Sequence, residues 1–281
     1  MSFVHSRCAL GLLAVLLAGG AARAEPMVPG DYALVWADEF EQDGPPDPGK
    51  WAYDIEHNKR GWFNNEQQYY SNARAENARV EKGALIIEAR ADAAAIAKLP
   101  DWGGQRYSSA RLRTLGKASW TYGAVEVRAK LPCGRGTWSA IWMLPDDKAI
   151  PWPDSGEIDI MEHVGFDPGK VHFSTHTKNG NFIDHTERTA AATVSGACGE
   201  MHRYQLRWTP NLIVMGVDDQ RSFAFKRPSA KRSDWPFDGP FHLLLNIAIG
   251  GDWGGQQGID PAAFPARMEI DYVRVYQQKK P

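Results

Sequence analysis

Three carboxylates, Glu157, Asp159 and Glu162, fall within one short β-type run, Ser155-Gly-Glu-Ile-Asp-Ile-Met-Glu-His-Val-Gly165. In a regular strand side chains alternate between faces, so Glu157 and Asp159 share one face while Ile158 and Ile160 point into a core. The next position on the acidic face is Met161. Glu162 then falls on the core side, where an unpaired carboxylate is costly to bury. One extra residue, inserted as a β-bulge near Ile160 and Met161, removes the conflict and puts all three acids on one face.

Cleavage of a glycosidic bond is chemistry that needs such a set. One carboxylic acid protonates the leaving oxygen, and a second carboxylate attacks the sugar or activates water. Retention of configuration requires carboxyls about 5 to 5.5 Å apart and inversion roughly 6.5 to 9.5 Å, so two Glu side chains leaning together along one strand favour retention. Asp159, between them, can hydrogen-bond one Glu and keep the two ionisations apart, as distinct acid and nucleophile roles demand. Spacing alone leaves two other readings open: acids on a solvent-facing strand, and a cation site built from the same oxygens.

The elements that must position these groups are strands. Runs of β type recur at 33–40, 84–90, 107–114, 123–131, 138–144, 157–163, 171–176, 204–208, 212–217, 241–249 and 268–276, and helical periodicity is nearly absent. Val125, Val127 and Ala129 alternate with Glu126, Arg128 and Lys130, as a half-buried strand requires. Asp218-Asp219 reads as a hairpin turn. Only 92–98 suggests a short helix, ended by Leu99-Pro100. Without a strand-helix-strand rhythm, the expectation is an all-β sandwich or jelly roll of two antiparallel sheets.

The chain has 281 residues, enough for one large domain, and no linker, low-complexity tract or repeat divides it. A net charge of −2, with no basic run interleaved with aromatics, argues against nucleic acid and for a neutral partner. Residues 1–24 read as a secretory signal: His5 and Arg7, then the apolar 9–22, then Ala22-Arg23-Ala24 as a cleavage site. The apolar run is shorter than the roughly 20 residues that span a bilayer. The expectation is one domain over 25–281, secreted, monomeric and free of membrane once the signal is removed. Cys8 leaves with that signal. Cys133 and Cys198 remain in a compartment where disulfides persist; they either pair or stay as buried thiols.

Gly156-Glu-Ile-Asp-Ile-Met-Glu-His-Val-Gly165 resembles the catalytic signature of glycoside hydrolase family sixteen in its bulged, laminarinase-like form. Asp38-Glu-Phe40, Asn64-Asn-Glu-Gln-Gln-Tyr-Tyr70, Tyr107-Ser-Ser-Ala-Arg111, Gly136-Thr-Trp-Ser-Ala-Ile-Trp-Met143, Leu245-Asn-Ile-Ala-Ile-Gly-Gly-Asp-Trp253 and Asp271-Tyr-Val-Arg-Val-Tyr276 resemble further family blocks, in family order. The resemblance implies a concanavalin-like β-jelly roll with a substrate cleft across its concave sheet. It also implies retaining hydrolysis of β-1,3-glucan, with Glu157 as nucleophile, Glu162 as acid/base and Asp159 as helper. Mixed-linkage glucanase, transglycosylase and non-hydrolytic β-glucan binding stand as alternatives on the same fold.

Asn64, Glu66, Arg111, Trp138, Trp142 and Trp253 match the family's substrate-contacting positions, because flat indoles stack on pyranose rings and amides and charges meet their hydroxyls. Trp142 fits core and cleft equally, whereas Trp253 in a Gly-rich loop is expected to be exposed. His176, on the neighbouring strand, is expected beside Glu162. Catalysis needs no cofactor; a structural calcium is implied at Glu39, the Gly83 carbonyl and Asp271. The loops 146–154 and 179–188 are expected to carry the contacts that choose the polysaccharide.

Overall fold

The computed structural model describes residues 26–279. The expected signal at 1–24 lies outside the described residues. Two large antiparallel sheets enclose one apolar core. The first sheet orders β15 (Gln220–Lys226), β14 (Leu212–Val217), β13 (His202–Thr209), β8 (Gly123–Lys130), β17 (Ala266–Gln278), β5 (Ala84–Ala89) and β4 (Ala78–Glu81), with β1 (Tyr32–Asp38) also paired to β17. The second orders β12 (Arg188–Thr193), β11 (Lys170–His176), β10 (Glu157–Val164), β9 (Thr137–Pro145), β16 (Phe241–Ile249), β7 (Arg111–Arg113) and β2 (Ala52–Tyr53). A small parallel pair, β3 (Gln68–Tyr70) and β6 (Tyr107–Ser109), lies apart from both. Among the described residues the one α-helix, α1, spans Ala93–Ile96.

Alternation explains the sandwich. Ile158 on β10, Ile141 and Met143 on β9, and Leu243, Leu245 and Ile247 on β16 are fully buried and meet Val127, Leu206 and Val273 of the first sheet. Their neighbours on the strands face outward and line the other side of the second sheet. The β14–β15 hairpin turns on Asp218 and Asp219, both at positive φ (50° and 64°), as a two-residue turn of this twist requires.

Three expectations change in detail. The run 107–114 is two strands, because the chain leaves the small pair at Ala110 and enters the second sheet at Arg111. The loop expected over 179–188 ends in β12, whose Arg-Thr-Ala-Ala-Ala-Thr sequence has small side chains and no apolar alternation to announce it. β15 also lay between the recognised runs; it buries only Phe223 and Phe225 among exposed polar neighbours.

Two ties fix the turns behind β10. Cys133 and Cys198 form a disulfide with Cα atoms 5.7 Å apart, joining the turn before β9 to the turn before β13. Gly165, just past β10, presses on the turn at Gly134: a Cβ there would lie 1.9 Å from the Gly134 carbonyl oxygen and 2.4 Å from Thr137 Oγ1. Backbone cannot yield cheaply to such an overlap. Gly165→Ala is expected to cost about 1–3 kcal/mol, seen as a lower midpoint in thermal unfolding followed by circular dichroism; an unchanged midpoint would show that the turn moves aside freely.

Candidate active site

The bulge is present in β10. Asp159 pairs with Trp142 of β9, but the next partners are Met161 with Ile141 and Glu162 with Ala140, so one residue is extra. The pairing with β11 shifts at the same place, between Asp159–Ser174 and Glu162–His172. Ile160 and Met161 both lie in the core at 0% exposure. Two consecutive core residues can only be accommodated by such a shift, and it returns Glu162 to the face of Glu157 and Asp159.

Each carboxylate meets specific partners. Trp152 donates its indole N–H to Glu157 Oε2 at 2.6 Å, and Trp138 donates to Glu162 Oε1 at 3.1 Å. Asp159 is buried, and His176 Nε2 lies 3.1 Å from its Oδ2. His176 therefore contacts Asp159 rather than Glu162 as expected; its register partner on β10 is Glu157. His163, next in sequence to Glu162, points away into the interior, where its Nε2 accepts from Gly169 N at 3.1 Å.

Burial sets the electrostatics. Glu157 is pushed up to about 8, first by desolvation and then by the negative charge of Asp159, against the opposing influence of His176 and the Trp152 N–H. Asp159 is raised well above the usual range by burial and by Glu162. Glu162 rises to about 7 through burial, with the charges of Glu157 and Glu66 adding to it, while His176 and the Trp138 N–H oppose. Three carboxyls so close cannot all ionise near neutrality, so they titrate as one unit that holds protons at a pH where isolated Glu is charged. One ionised and one protonated carboxyl at the same pH is the state that double displacement starts from.

The rest of the outer face continues across β9, β16 and β7. Trp142 faces outward, half-buried, donating to Asn246 Oδ1 at 2.8 Å; the Arg111 guanidinium lies 4.7 Å from its ring centroid and 5.2 Å from that of Trp62. Arg111 is further fixed by Asp54, 3.0 Å away. Asn64, at φ 56°, hydrogen-bonds Glu66, and Glu66 also accepts from Gln68 at 2.8 Å. Burial raises the Glu66 carboxyl. Trp253 is half-buried rather than exposed, packed edge-on to Trp138 at 5.4 Å and to His172 at 4.8 Å. The structure thus brings Asn64, Glu66, Arg111, Trp138, Trp142, His176 and Trp253 to the carboxylate face.

Trp152, His172, Asn246 and Tyr70 join this site without having been singled out for it. A Trp between prolines five residues before Glu157 was a usable signal for the first. Asn246 accepts from Trp142 and donates to the buried Tyr70 hydroxyl at 3.0 Å, a role set by strand register alone. The positions implied for calcium are otherwise engaged: Glu39 accepts two bonds from Arg274, both at 2.8 Å, and Asp271 accepts from Arg128 at 2.6 Å. With both carboxylates taken by guanidinium groups, the set does not fit a calcium ion as it stands.

Two sheets packed face to face, with a bulged strand presenting three proton-sharing carboxyls among indoles, define a glycosidase of the β-sandwich kind. The chain belongs to glycosyl hydrolases family 16, whose model matches residues 65–274. It is 53% identical over 254 residues to a β-glucanase of Rhodothermus marinus, an alignment covering 88% of this chain and 85% of that protein. The crystal structure of the Rhodothermus marinus laminarinase superposes with a TM-score of 0.83 at 52% identity, covering 89% of this chain and 98% of the other. A mutant of the non-specific endo-β-1,3(4)-glucanase SCLam, crystallised with an oligosaccharide that presents 1,3-β-D-cellobiosyl-glucose at its active site, superposes with a TM-score of 0.88 at 52% identity, covering 90% of this chain and 98% of the other.

The raised acids carry a stability cost with a definite pH dependence. Between the ordinary Glu value of 4.5 and about 8, the folded protein keeps a proton on Glu157 that the unfolded chain releases, so stability falls as pH rises through that window. Glu157→Gln removes this loss. Its melting temperature is expected to exceed that of the unsubstituted protein most at about pH 8 and least at about pH 4.5, by about 2–4 °C for each kcal/mol relieved. A pH-independent difference in calorimetry would contradict the raised carboxyl.

Proposed function

We propose that the protein is an endo-acting retaining hydrolase of β-1,3-glucan, with Glu157 as nucleophile and Glu162 as acid/base. The observation that carries the reading is the bulge at Ile160 and Met161, which places Glu162 beside Glu157 on a face lined by indoles. The relatives support the substrate: a laminarinase and an endo-β-1,3(4)-glucanase share about half of this sequence over nearly its whole described length.

In the first step Glu162, protonated, gives its proton to the glycosidic oxygen as that bond breaks, and the Glu157 carboxylate bonds to the anomeric carbon. In the second, Glu162, now ionised, takes a proton from water, which displaces Glu157 and restores both groups. Asp159 acts as the helper beside the nucleophile: raised well above the usual range by burial, it takes up the proton that it and Glu157 share, so that Glu157 attacks as the carboxylate while Glu162 stays protonated. Trp152 holds the Glu157 carboxylate in place from the other side. The flat outer face, with Trp142, Trp138 and Trp253 half-buried, suits the apolar faces of a neutral glucan.

Secretion belongs to the same proposal. The disulfide is in keeping with an oxidising compartment.

Purified protein is expected to release reducing sugar from laminarin, with lichenan cleaved more slowly and agarose and carrageenan untouched. Glu157→Gln should abolish turnover while leaving glucan binding intact, and Glu162→Gln should lower kcat by about 10²–10⁴-fold. The product first seen by NMR is expected to be the β anomer. An initial α anomer would exclude retention, and full activity in Glu157→Gln would exclude it as nucleophile.

A further inference from the structure

β10 is off-centre in its sheet: β9, β16, β7 and β2 lie on one side, and only β11 and β12 on the other. Every matched sugar-contacting residue on a strand, except His176, lies at or beyond β9. The short flank has its own features. Register places Ser174 beside Asp159, Thr189 beside Ser174, and Ala191 beside His172, which in turn opposes Glu162. These three residues therefore share the carboxylate face, and Ser174 and Thr189 confirm it by bonding through their hydroxyls at 3.2 Å. The floor is small, hydroxylated and uncharged.

Over this floor stands an apolar wall. Phe182 is 43% exposed and Ile183 63% exposed, two of the largest exposed apolar side chains among the described residues. The Phe182 ring packs on Trp152 at 5.1 Å and meets His176 edge-on at 5.7 Å, so it adjoins the two side chains that touch Glu157 and Asp159. Its loop is held in shape: the Asn181 side chain donates to Lys178 O at 3.1 Å and Asp184 Oδ2 at 3.0 Å and accepts from the N–H groups of Ile183 and Asp184 at 3.1 and 3.2 Å. Exposing an aromatic on a fixed loop beside a reactive centre costs hydration free energy that a stacked ligand recovers.

We propose that this flank is a second chain-binding arm, in which Phe182 stacks on a neutral hexopyranose ring while Ser174 and Thr189 meet its hydroxyls. Two strands at about 4.8 Å spacing leave roughly 10 Å of floor, the length of a disaccharide, so the arm is short. Ser174, Thr189 and Ala191 carry no charge, and Lys170, farther along the same face of β11, is engaged by Asp167 at 3.5 Å. The inference rests on the reading of Glu157, Asp159 and Glu162 as a glycosidase centre, and Phe182 determines chain-length preference within it rather than taking part in the chemistry.

The test uses β-1,3-linked gluco-oligosaccharides of increasing length. Calorimetric binding is measured to Glu157→Gln with and without Phe182→Ala, and turnover in the single Phe182→Ala variant. Affinity for the long oligosaccharides, and KM for laminarin, should worsen roughly three- to tenfold in Phe182→Ala. Binding of the shortest oligosaccharide and the pH profile of kcat should not change, and Phe182→Trp should restore the long-chain affinity. An equal loss at every length, or a kcat profile shifted in pH, would overturn the inference in favour of simple packing on Trp152. Loss of the length effect with neither change would overturn it as well. Failure of the unsubstituted protein to cleave any β-glucan would sink the catalytic reading instead, and the binding series would still report on Phe182.

Discussion

Carboxylates that repel one another must be gathered on one side of a strand whose other side is sealed in an apolar core, and the rest of this structure depends on meeting that demand. Glu157, Asp159 and Glu162 reach one face only because Ile160 and Met161 both turn inward. The inward pair needs a deep core to receive it, which the opposing sheet supplies through residues such as Val127, Leu206 and Val273. The outward trio needs donors that do not neutralise it. Two indole N–H groups and one imidazole meet that need, whereas an arginine in the same place would hold every carboxyl ionised and leave no acid to protonate a leaving group. Arg111 is instead kept at a distance, between Trp62 and Trp142 and against Asp54.

The same logic separates the two sheets by task. The exposed ion pairs of the first sheet and its margin are direct and local, as between Arg274 and Glu39 or Arg128 and Asp271. Such exposed pairs add little to stability and shift no reactive group. On the second sheet charge is left unsatisfied where reaction is to occur and satisfied away from it. Destabilisation concentrated in a few buried acids is tolerable because the core beneath is continuous and the turns behind β10 are tied by the disulfide and by close packing at Gly165.

Much of this was legible in the sequence, for identifiable reasons. The bulge could be inferred because a regular strand would have buried Glu162, an outcome too costly to accept. Strands with strong alternation, such as β8, were plain. β12 was not, since alanine and threonine carry no amphipathic signal, and the break at Ala110 depends on which sheet each half joins. Trp142 was ambiguous because its neighbours Ile141 and Met143 are apolar, and only the register with β16 shows that it faces Asn246 and Arg111. The pairing of His176 with Asp159 follows from how β11 slides along β10, a tertiary fact with no local trace. Trp152 and Phe182 come from separate loops, and only folding brings their rings together.

The two consecutive core residues in β10 have a consequence for how this strand can change length. Removing either Ile160 or Met161 would leave a strand of ordinary alternation in which Glu157, Asp159 and the following Glu still point the same way, because the residue lost is the one the pleat did not need. Anywhere else in the strand, loss of one residue would turn the downstream half over and carry Glu162 or Glu157 into the interior. An enzyme lineage could therefore shed or acquire a single codon at this one place and keep its chemistry, so that long and short versions of the motif are neighbours in sequence space rather than separate inventions.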